Sequence, residues 1–407
     1  MTVLKRTVIS GARIFDGETP LGTGAVVIEE GVIARVLPGG SGPDDGERVD
    51  AAGMTLLPGL IDGHTHVTGA ANLEESLRYG VTTELDMFSF PQTLTAKLRA
   101  ESPDASDRAD FRSSGLMAGA KGGWPGAMLP PIPGWEMPGL SGPADAAGFV
   151  AARKAEGSDY IKVFVDKARE GGPPTMSAET VIAVCEAAHD QGLKTVAHAS
   201  SLWAFRTALA AGVTILTHVP LDGVLTEDDV AAIVASGTYL VPTLTMMQAI
   251  TDVTSTRHLV VDPRLTAGLA PAVVQQLRDG ERGMMPKSTS PGVSYDNAAA
   301  NLALLYRASI PIAVGTDANN LGGQAGAVVH GASQHLELEL LVQAGMMAQD
   351  VLRGATSLAA DVFDLPDRGR IAEGKRADLL LVAGDPLTDI TDTRNIERVW
   401  RAGIIKD

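Results

Sequence analysis

Eight short apolar runs with strand character alternate with helical patterns through the middle of the chain. Each candidate strand leads into a helix over about 250 residues, which favours a parallel sheet closed as a (β/α)8 TIM-type barrel. An open doubly wound sheet is the alternative, but no GxGxxG or P-loop follows an early strand. The candidate strands are 56–63, 81–86, 111–118, 159–165, 193–198, 213–218, 239–243 and 311–316.

Both ends of the chain differ from this middle part. Residues 1–55 and 366–407 show short β-branched runs separated by Gly, Pro and Asp turn signals, and they lack helical periodicity. We therefore expect a small β-sandwich domain assembled from 1–55 plus 366–407. Residues 56–365 would form the catalytic barrel domain, and the fold class is α/β.

Composition excludes several classes of partner. The formal charge of −16 argues against nucleic acid, whose phosphates require clustered Lys and Arg, and against an anionic membrane surface. No run approaches the roughly 18–20 apolar residues of a membrane span, and the N-terminus alternates like a strand rather than a signal peptide. The single cysteine, Cys185, excludes an intrachain disulfide. We expect a cytoplasmic protein that acts on a small-molecule substrate.

Two histidines follow the first candidate strand of the middle part. His64 and His66 come directly after the run Pro58–Gly63, and they are two of only eight histidines in the chain. Residues i and i+2 of an extended strand point to the same face. The two imidazoles therefore aim at one point, as the first two ligands of a divalent metal must.

Other reactive groups also lie in or at the ends of candidate strands. Lys162 stands inside the apolar run 160–165, His198 and His218 end two further strands, and Asp317 ends the last one. Each of these residues taken alone also has an ordinary structural explanation. Lys162 could extend its amine out of the strand to solvent, either histidine could be a core residue, and Asp317 could be a helix N-cap. Because active sites of such barrels lie at the carboxyl ends of the strands, the set together predicts a metal centre.

These motifs make the chain resemble the amidohydrolase superfamily, and within it the imidazolonepropionase-like and Xaa-Pro dipeptidase (prolidase)-like branch. The resemblance covers nearly the whole chain, and the HxH with its PGLIDG lead and the GKRADL segment are its specific parts. The matching stretches are 58–66, 161–163, His198, 217–218, 315–317, 355–356, 369–371 and 374–379.

The resemblance implies a distorted barrel with a flanking β-sandwich and a metal centre that often contains zinc. By position, His64, His66 and Asp317 would hold one metal, and His198 and His218 the other. Lys162 would bridge two divalent ions, expected to be Zn²⁺ by the resemblance, as a carbamate formed with carbon dioxide. A mononuclear site with His64, His66, His198 and Asp317 is the fallback, in which His218 faces the substrate. Superfamily members commonly associate, so a homo-oligomer is expected by resemblance.

The predicted reaction is hydrolysis of an amide C–N bond in an N-acyl amino acid or a dipeptide. Asp317 is the predicted catalytic residue, which accepts a proton from metal-activated water and passes it to the leaving amine. A cyclic amidohydrolase such as imidazolonepropionase is an alternative. A mononuclear deaminase is disfavoured, because Ala199–Ser201 after His198 contain no carboxylate. A catalytically silent scaffold is disfavoured because all six predicted ligands are kept.

Substrate residues are predicted from weaker signals. The segment 200–203 replaces the glycine-rich residues that prolidase-like relatives often carry after this histidine. Trp124, Trp135 and Trp203 indicate a pocket for an apolar or aromatic acyl group.

Three polar residues complete the candidate substrate site. Arg112 and Tyr239 lie near predicted strand ends and could bind a substrate carboxylate, although salt bridges at the rim explain them equally well. His330 is a candidate for gating or for supporting the metal ligands, and a solvated loop histidine is the alternative reading.

Overall fold

A computed structural model describes residues 6–103, 105–128, 136–168, 171–252, 254–280, 292–321 and 326–406. Helices and strands are mixed along the chain, which confirms the predicted α/β class. The strands are β1 (Thr7–Phe15), β2 (Pro20–Glu29), β3 (Val32–Pro38), β4 (Glu47–Asp50), β5 (Met54–Pro58), β6 (Leu60–Thr65), β7 (Val81–Asp86), β8 (Asp110–Ser113), β9 (Ile161–Phe164), β10 (Thr195–His198), β11 (Ile215–Thr217), β12 (Tyr239–Val241), β13 (Leu379–Ala383), β14 (Ile396–Arg401) and β15 (Ile404–Lys406).

The two ends of the chain meet in one eight-stranded sheet. Its order is β15-β14-β13-β5-β1-β2-β3, and β4 pairs with β1. Strand β5 from the N-terminal part pairs antiparallel with β13 from the C-terminal part, with Leu56 opposite Leu381. Apolar side chains of both parts, including Ile14 and Trp400, form a core of their own.

The middle strands are parallel to one another. They form a three-stranded sheet, β6-β7-β8, and a four-stranded sheet, β12-β11-β10-β9. Three isolated parallel bridges connect these sheets and the segment 311–318: Ala118 with Val163, Leu240 with Ile312, and Thr65 with Ala318.

The predicted strand 56–63 is two strands that belong to different sheets. Strand β5 ends at Pro58 in the terminal sheet, and β6 begins at Leu60 in the parallel sheet. Between them the Gly59 amide donates to the Asp378 carbonyl, and a Cβ at Gly59 would lie 2.4 Å from Thr82. The chain therefore changes sheets at Gly59, a few residues after the predicted boundary at 55, because only glycine fits this close approach.

Helices alternate with the parallel strands along the chain, as the sequence pattern predicts. Four of them begin at a serine or threonine whose hydroxyl accepts a backbone N–H, namely Ser177, Ser201, Thr226 and Ser294. The helices are α1 (Ala70–Arg78), α2 (Gln92–Glu101), α3 (Ala146–Ala155), α4 (Ala178–Asp190), α5 (Leu202–Ala210), α6 (Glu227–Ser236), α7 (Leu244–Thr251), α8 (Thr256–Val261), α9 (Pro263–Thr266), α10 (Pro271–Asp279), α11 (Tyr295–Arg307), α12 (Ala332–Gln343), α13 (Ala348–Gly354) and α14 (Ser357–Val362).

Among the described residues, none of these helices has the length and apolar character needed to cross a bilayer. Helices α7 to α10 lie in the stretch 244–280, where apolar residues recur with only a weak helical period.

A buried ion-pair network joins the parallel strands to the terminal sheet. The Asp110 carboxylate in β8 contacts Arg368, lies 3.2 Å from Arg376 Nη1 and lies 3.8 Å from Arg401 Nη2. Arg401 in β14 also lies 3.5 Å from Asp378, just before β13. Burial alone would raise the pKa of Asp110, but the three arginines outweigh it and hold the pKa well below its usual range. The network therefore stabilises the contact between the two sheets.

We predict that Asp110→Asn lowers the free energy of unfolding by about 3–5 kcal/mol at neutral pH, because it removes the buried carboxylate that three arginines share. Since the folded-state pKa is depressed, this stability is fully present above the unfolded pKa of about 3.9 and is lost as the pH falls below it. Denaturant unfolding at several pH values measures the effect. The control is Asp45→Asn, which removes an exposed partner of Arg6 and should change stability little. Equal stabilities for the two variants would contradict this role of the network.

Candidate metal centre

The predicted ligands lie at or near the carboxyl ends of the parallel strands. His64 is the last but one residue of β6, and His66 directly follows that strand. His198 is the last residue of β10, and His218 directly follows β11. Asp317 lies in the segment 311–318, whose backbone pairs with β6 through Asp317 N–H to the His64 carbonyl at 2.7 Å. Residues far apart in the sequence are thereby brought to one edge.

Three of these residues could hold a metal ion together. His66 Nε2 lies 2.9 Å from Asp317 Oδ1, and His64 Nε2 lies 3.5 Å from the same oxygen. One ligand atom from each residue lies within 4.8 Å of the other two. Two imidazoles and one carboxylate are a ligand set that suits zinc and related divalent ions.

Two further histidines extend this cluster. The ring centroids of His218 and His64 are 5.0 Å apart, and those of His218 and His198 are 4.3 Å apart. His218 is therefore the ring that joins His198 to the group around Asp317. All four histidines that the sequence predicted as ligands lie in one cluster.

Burial keeps most of these imidazoles neutral, which is the form that binds metal. Burial, reinforced by the charge of Lys162, lowers the pKa of His198 to about 3 and holds those of His64 and His218 well below the usual value. His218 Nε2 is buried and has no hydrogen-bond partner within the described part of the chain, while its Nδ1 contacts Thr243. An unpaired nitrogen of this kind is what a bound ion would satisfy, so the residues present fit a metal.

Lys162 is fully enclosed in β9, with 2% of its surface exposed. Its Nζ donates to Thr217 Oγ1 at 2.8 Å, and burial lowers its pKa to about 7. The charge of Asp317 acts in the opposite direction. The amine is therefore partly neutral near physiological pH, in contrast to an exposed lysine.

Asp62 is a residue of this centre that the sequence reasoning missed. Its carboxylate accepts the His64 N–H at 3.2 Å, the Thr316 N–H at 3.0 Å and the Thr316 hydroxyl at 2.6 Å. Burial and the charge of Glu84 raise its pKa to about 8. Asp62 thus connects β6 to the segment that carries Asp317. The two segments approach so closely at Gly315 that a Cβ there would lie 2.7 Å from the backbone nitrogen of His64.

Phe164 and Thr243 are two more residues that contact predicted ligands. The Phe164 ring stacks on His198 with centroids 4.5 Å apart and planes 22° apart. Thr243 Oγ1 lies 2.7 Å from His218 Nδ1. Phe164 could have been found in the sequence, since it follows Lys162 by two residues and so shares its face of the strand. Thr243 lies 25 residues beyond His218, and no spacing rule connects them.

The backbone at this edge is unusual as well. His218, Thr243 and Asp317 have φ angles of 72°, 50° and 65°, in the left-handed region that residues with side chains rarely adopt. His218 and Thr243 come just after the ends of β11 and β12, and Asp317 lies near the end of the segment 311–318. Such conformations persist where surrounding contacts determine them, and they cluster at functional sites.

Arg112 and Tyr239 make contacts outside the cluster of predicted ligands. The Arg112 guanidinium lies 3.8 Å from Asp110 and 3.9 Å from Asp159, and it lines a cavity of about 420 Å³ with Asp159 and Phe363. Tyr239 is the first residue of β12, where its amide donates to the Thr214 carbonyl. Tyr239 thus lies at the amino end of its strand, and the Arg112 side chain contacts Asp159, which precedes β9. The described contacts of both residues are with groups other than the predicted ligands, and their role in substrate binding stays a prediction.

The structure describes two of the three tryptophans that were predicted to line the substrate pocket. Trp203 is the second residue of α5, four residues after Ala199, and packs partly buried against the main core. Trp124 lies among residues of its own loop, beside Gly123 and Met137. Trp135 lies outside the described residues.

His330 is fully buried rather than solvated, and its Nδ1 lies 2.8 Å from Glu84 Oε1. Burial opposes protonation of His330, but the Glu84 carboxylate outweighs it, so the pKa of the imidazole is raised. The ring is therefore held in a buried ion pair with Glu84, and its predicted role in gating or in supporting the metal ligands stays a prediction.

Comparison with known proteins agrees with this arrangement. The model of the amidohydrolase family matches residues 55–406. A 59-residue stretch is 44% identical to imidazolonepropionase of Salinispora tropica, although it spans only 14% of this chain and 15% of that protein.

Two solved structures share the fold over nearly their whole length. A Xaa-Pro dipeptidase with methionine in its active site superposes with a TM-score of 0.76 at 22% identity, covering 99% of this chain and 100% of that one. Ochratoxinase of A. niger gives a TM-score of 0.72 at 21% identity, covering 99% and 95%. At identities of 22% and 21%, these structures show a common fold and no more. The match to the family model is what shows the family. The chain belongs to the amidohydrolase family, as its strand-end motifs predict.

Proposed function

We propose that this protein is a metal-dependent hydrolase that cleaves the C–N bond of an N-acyl amino acid or a dipeptide. The observation that carries the proposal is the convergence of His64 Nε2, His66 Nε2 and Asp317 Oδ1 on one point. The likeness to a Xaa-Pro dipeptidase, a protein named for a dipeptide substrate, supports this substrate class.

The donor set supports two metal sites, which we assign to Zn²⁺. His64, His66 and Asp317 would hold one ion, and His198 and His218 the other. Lys162 would join both sites as a carbamate, in which the neutral amine adds to carbon dioxide and releases a proton. Enclosure of the amine beside Thr217 supports this reaction, because only the unprotonated amine is a nucleophile.

A divalent ion bound here supplies an activated water and polarises the scissile carbonyl. The residues of the chain do the rest. The Asp317 carboxylate, within 3.5 Å of two imidazole nitrogens, takes up a proton at Oδ1 or Oδ2 and delivers it to the leaving amine. The Phe164 ring beside His198 forms an apolar wall, and such a surface excludes water and suits an acyl side chain.

We further propose that the eight parallel segments close into a distorted (β/α)8 barrel. The bridges from Leu240 to Ile312 and from Thr65 to Ala318 support closure, since they place the segment 311–318 between β12 and β6. In such a barrel, catalytic groups lie at the carboxyl ends of the strands, which is where the histidines are.

One alternative substrate class has an observation in its favour. The stretch that is 44% identical to imidazolonepropionase suggests a cyclic amide instead of a linear one. The same metal ligands and the same proton acceptor serve both reactions, so the substrate pocket decides between them. Deamination has less support, because Ala199 and Ser200 follow His198 where an acid would be needed.

One prediction of this proposal concerns metal content, the number of ions bound per chain. Wild-type protein equilibrated with Zn²⁺ and bicarbonate should hold two ions per chain, and Lys162→Ala should hold one or fewer because the bridge is lost. Elemental analysis after gel filtration measures the ratio. Lys97→Ala, at an exposed lysine of α2, is the control and should keep two ions. About one ion in the wild type, unchanged by Lys162→Ala, would contradict the carbamate bridge.

Another prediction of this proposal concerns the reaction that the protein catalyses. With a panel of N-acyl amino acids, Xaa-Pro dipeptides, cyclic imides and aminopurines, we expect release of free amino acid from the first two groups. Asp317→Asn should lower kcat by about 100-fold or more, because the proton acceptor and a ligand are lost together. Chromatography of the products separates the outcomes. Turnover of cyclic imides alone would favour the imidazolonepropionase-like reaction, ammonia release would favour a deaminase, and metal binding without turnover a silent scaffold.

A further inference from the structure

His218 is fixed by a side chain outside the predicted ligand set. Its Nδ1 lies 2.7 Å from Thr243 Oγ1, while its Nε2 is buried without a partner in the described part of the chain. When a hydroxyl occupies one ring nitrogen, the other is left as the ligand atom, and the ring orientation is set. Thr243 therefore determines which nitrogen of His218 faces the metal site.

The same threonine stands at the start of helix α7, where its hydroxyl would ordinarily serve another purpose. Thr243 is the N-cap residue, and an N-cap threonine usually accepts a backbone N–H of the first helical turn. Here Thr243 makes no such bond, and its φ and ψ are both 50°, which is uncommon for a β-branched residue. Because the hydroxyl is used by His218, the first turn of α7 needs a different acceptor.

Glu337 of helix α12 is that acceptor. Its carboxylate is fully buried and accepts the Leu244 N–H at 2.8 Å and the Thr245 N–H at 2.7 Å. It also accepts the Thr245 hydroxyl at 2.9 Å. A carboxylate at a helix N-terminus interacts favourably with the exposed N–H groups and with the helix dipole. Glu337 thus caps α7 in place of the residue that normally would.

A second connection leads from Glu337 toward Asp317. The Thr245 hydroxyl that contacts Glu337 also lies 3.0 Å from the carbonyl oxygen of Thr316, the residue before Asp317. Glu337 therefore supports the backbone beside one predicted ligand and the hydroxyl that orients another. Both connections run through the first turn of α7.

We propose that Glu337 is a positioning residue of the metal centre, which caps helix α7 from α12 and so frees the Thr243 hydroxyl to orient His218. This inference rests on the proposed metal-dependent function and deepens it. Loss of the carboxylate leaves two backbone N–H groups of α7 without an acceptor, and they then compete for the hydroxyl of Thr243, the N-cap residue whose side chain ordinarily accepts such a bond. His218 then loses its partner and its orientation.

Zn²⁺ titration against a chromophoric chelator tests the proposal. Glu337→Gln and Thr243→Val should each weaken the affinity for Zn²⁺ about 10- to 100-fold, as is usual when a supporting contact of a ligand is lost. Thr243→Ser keeps the hydroxyl and should restore the wild-type affinity. Because both residues act through one contact, the double variant Glu337→Gln, Thr243→Val should bind no more weakly than the weaker single variant.

The control is Glu339→Gln, on the same helix, which removes a partner of Arg394 and should leave the Zn²⁺ affinity unchanged. Wild-type Zn²⁺ affinity in folded Glu337→Gln, or additive losses in the double variant, would overturn the inference alone. Failure of the wild-type protein to bind Zn²⁺ would overturn the proposed function and the inference with it. Should Glu337→Gln not fold, Glu337→Asp decides, since a carboxylate shortened by one methylene should weaken the affinity and an unchanged value rejects the role.

Discussion

Neutral imidazoles packed against one another at the carboxyl ends of the strands are the constraint on which the rest of this structure depends. Burial and the charge of Lys162 keep His64, His198 and His218 uncharged, because a group of buried cations would repel. A neutral ring still has two nitrogens to satisfy. His218 Nε2 has no partner in the described part of the chain, and such an atom costs about 1–3 kcal/mol. An arrangement of this kind is stabilised when an ion supplies the missing interaction.

The surrounding backbone holds these rings where unrestrained chains would not. Asp62 and the glycine at 315 allow β6 and the segment 311–318 to approach closely, so that Asp317 reaches two imidazoles. His218 and Asp317 adopt left-handed conformations, which change the direction of the chain directly after a strand. The ligand geometry is therefore determined by the contacts between strands, and no single loop could produce it.

This division explains what the sequence could and could not predict. The ligands were found because alternating strands and helices place strand ends at one edge, and the pattern at His64 and His66 follows from the period of a strand. The roles of Asp62 and Thr243 depend on contacts between distant segments, for which no local pattern exists. The surroundings of Arg112 could not be predicted either, because its guanidinium lies 3.9 Å from Asp159, a residue 47 positions further along the chain that precedes β9.

The two edges of the parallel strands carry opposite energetic roles. At the amino ends, Asp110 is paired with Arg368 and Arg376, which precede β13, and with Arg401 of β14, and these pairs stabilise the fold. At the carboxyl ends lie desolvated imidazoles and strained backbone, which cost free energy. Because β8 pairs with β7, and β7 with the strand of His64, the ion pairs at one edge help to offset the free energy that the other edge requires. The sheet built from both termini thus holds the parallel strands together from the side opposite to the candidate metal centre.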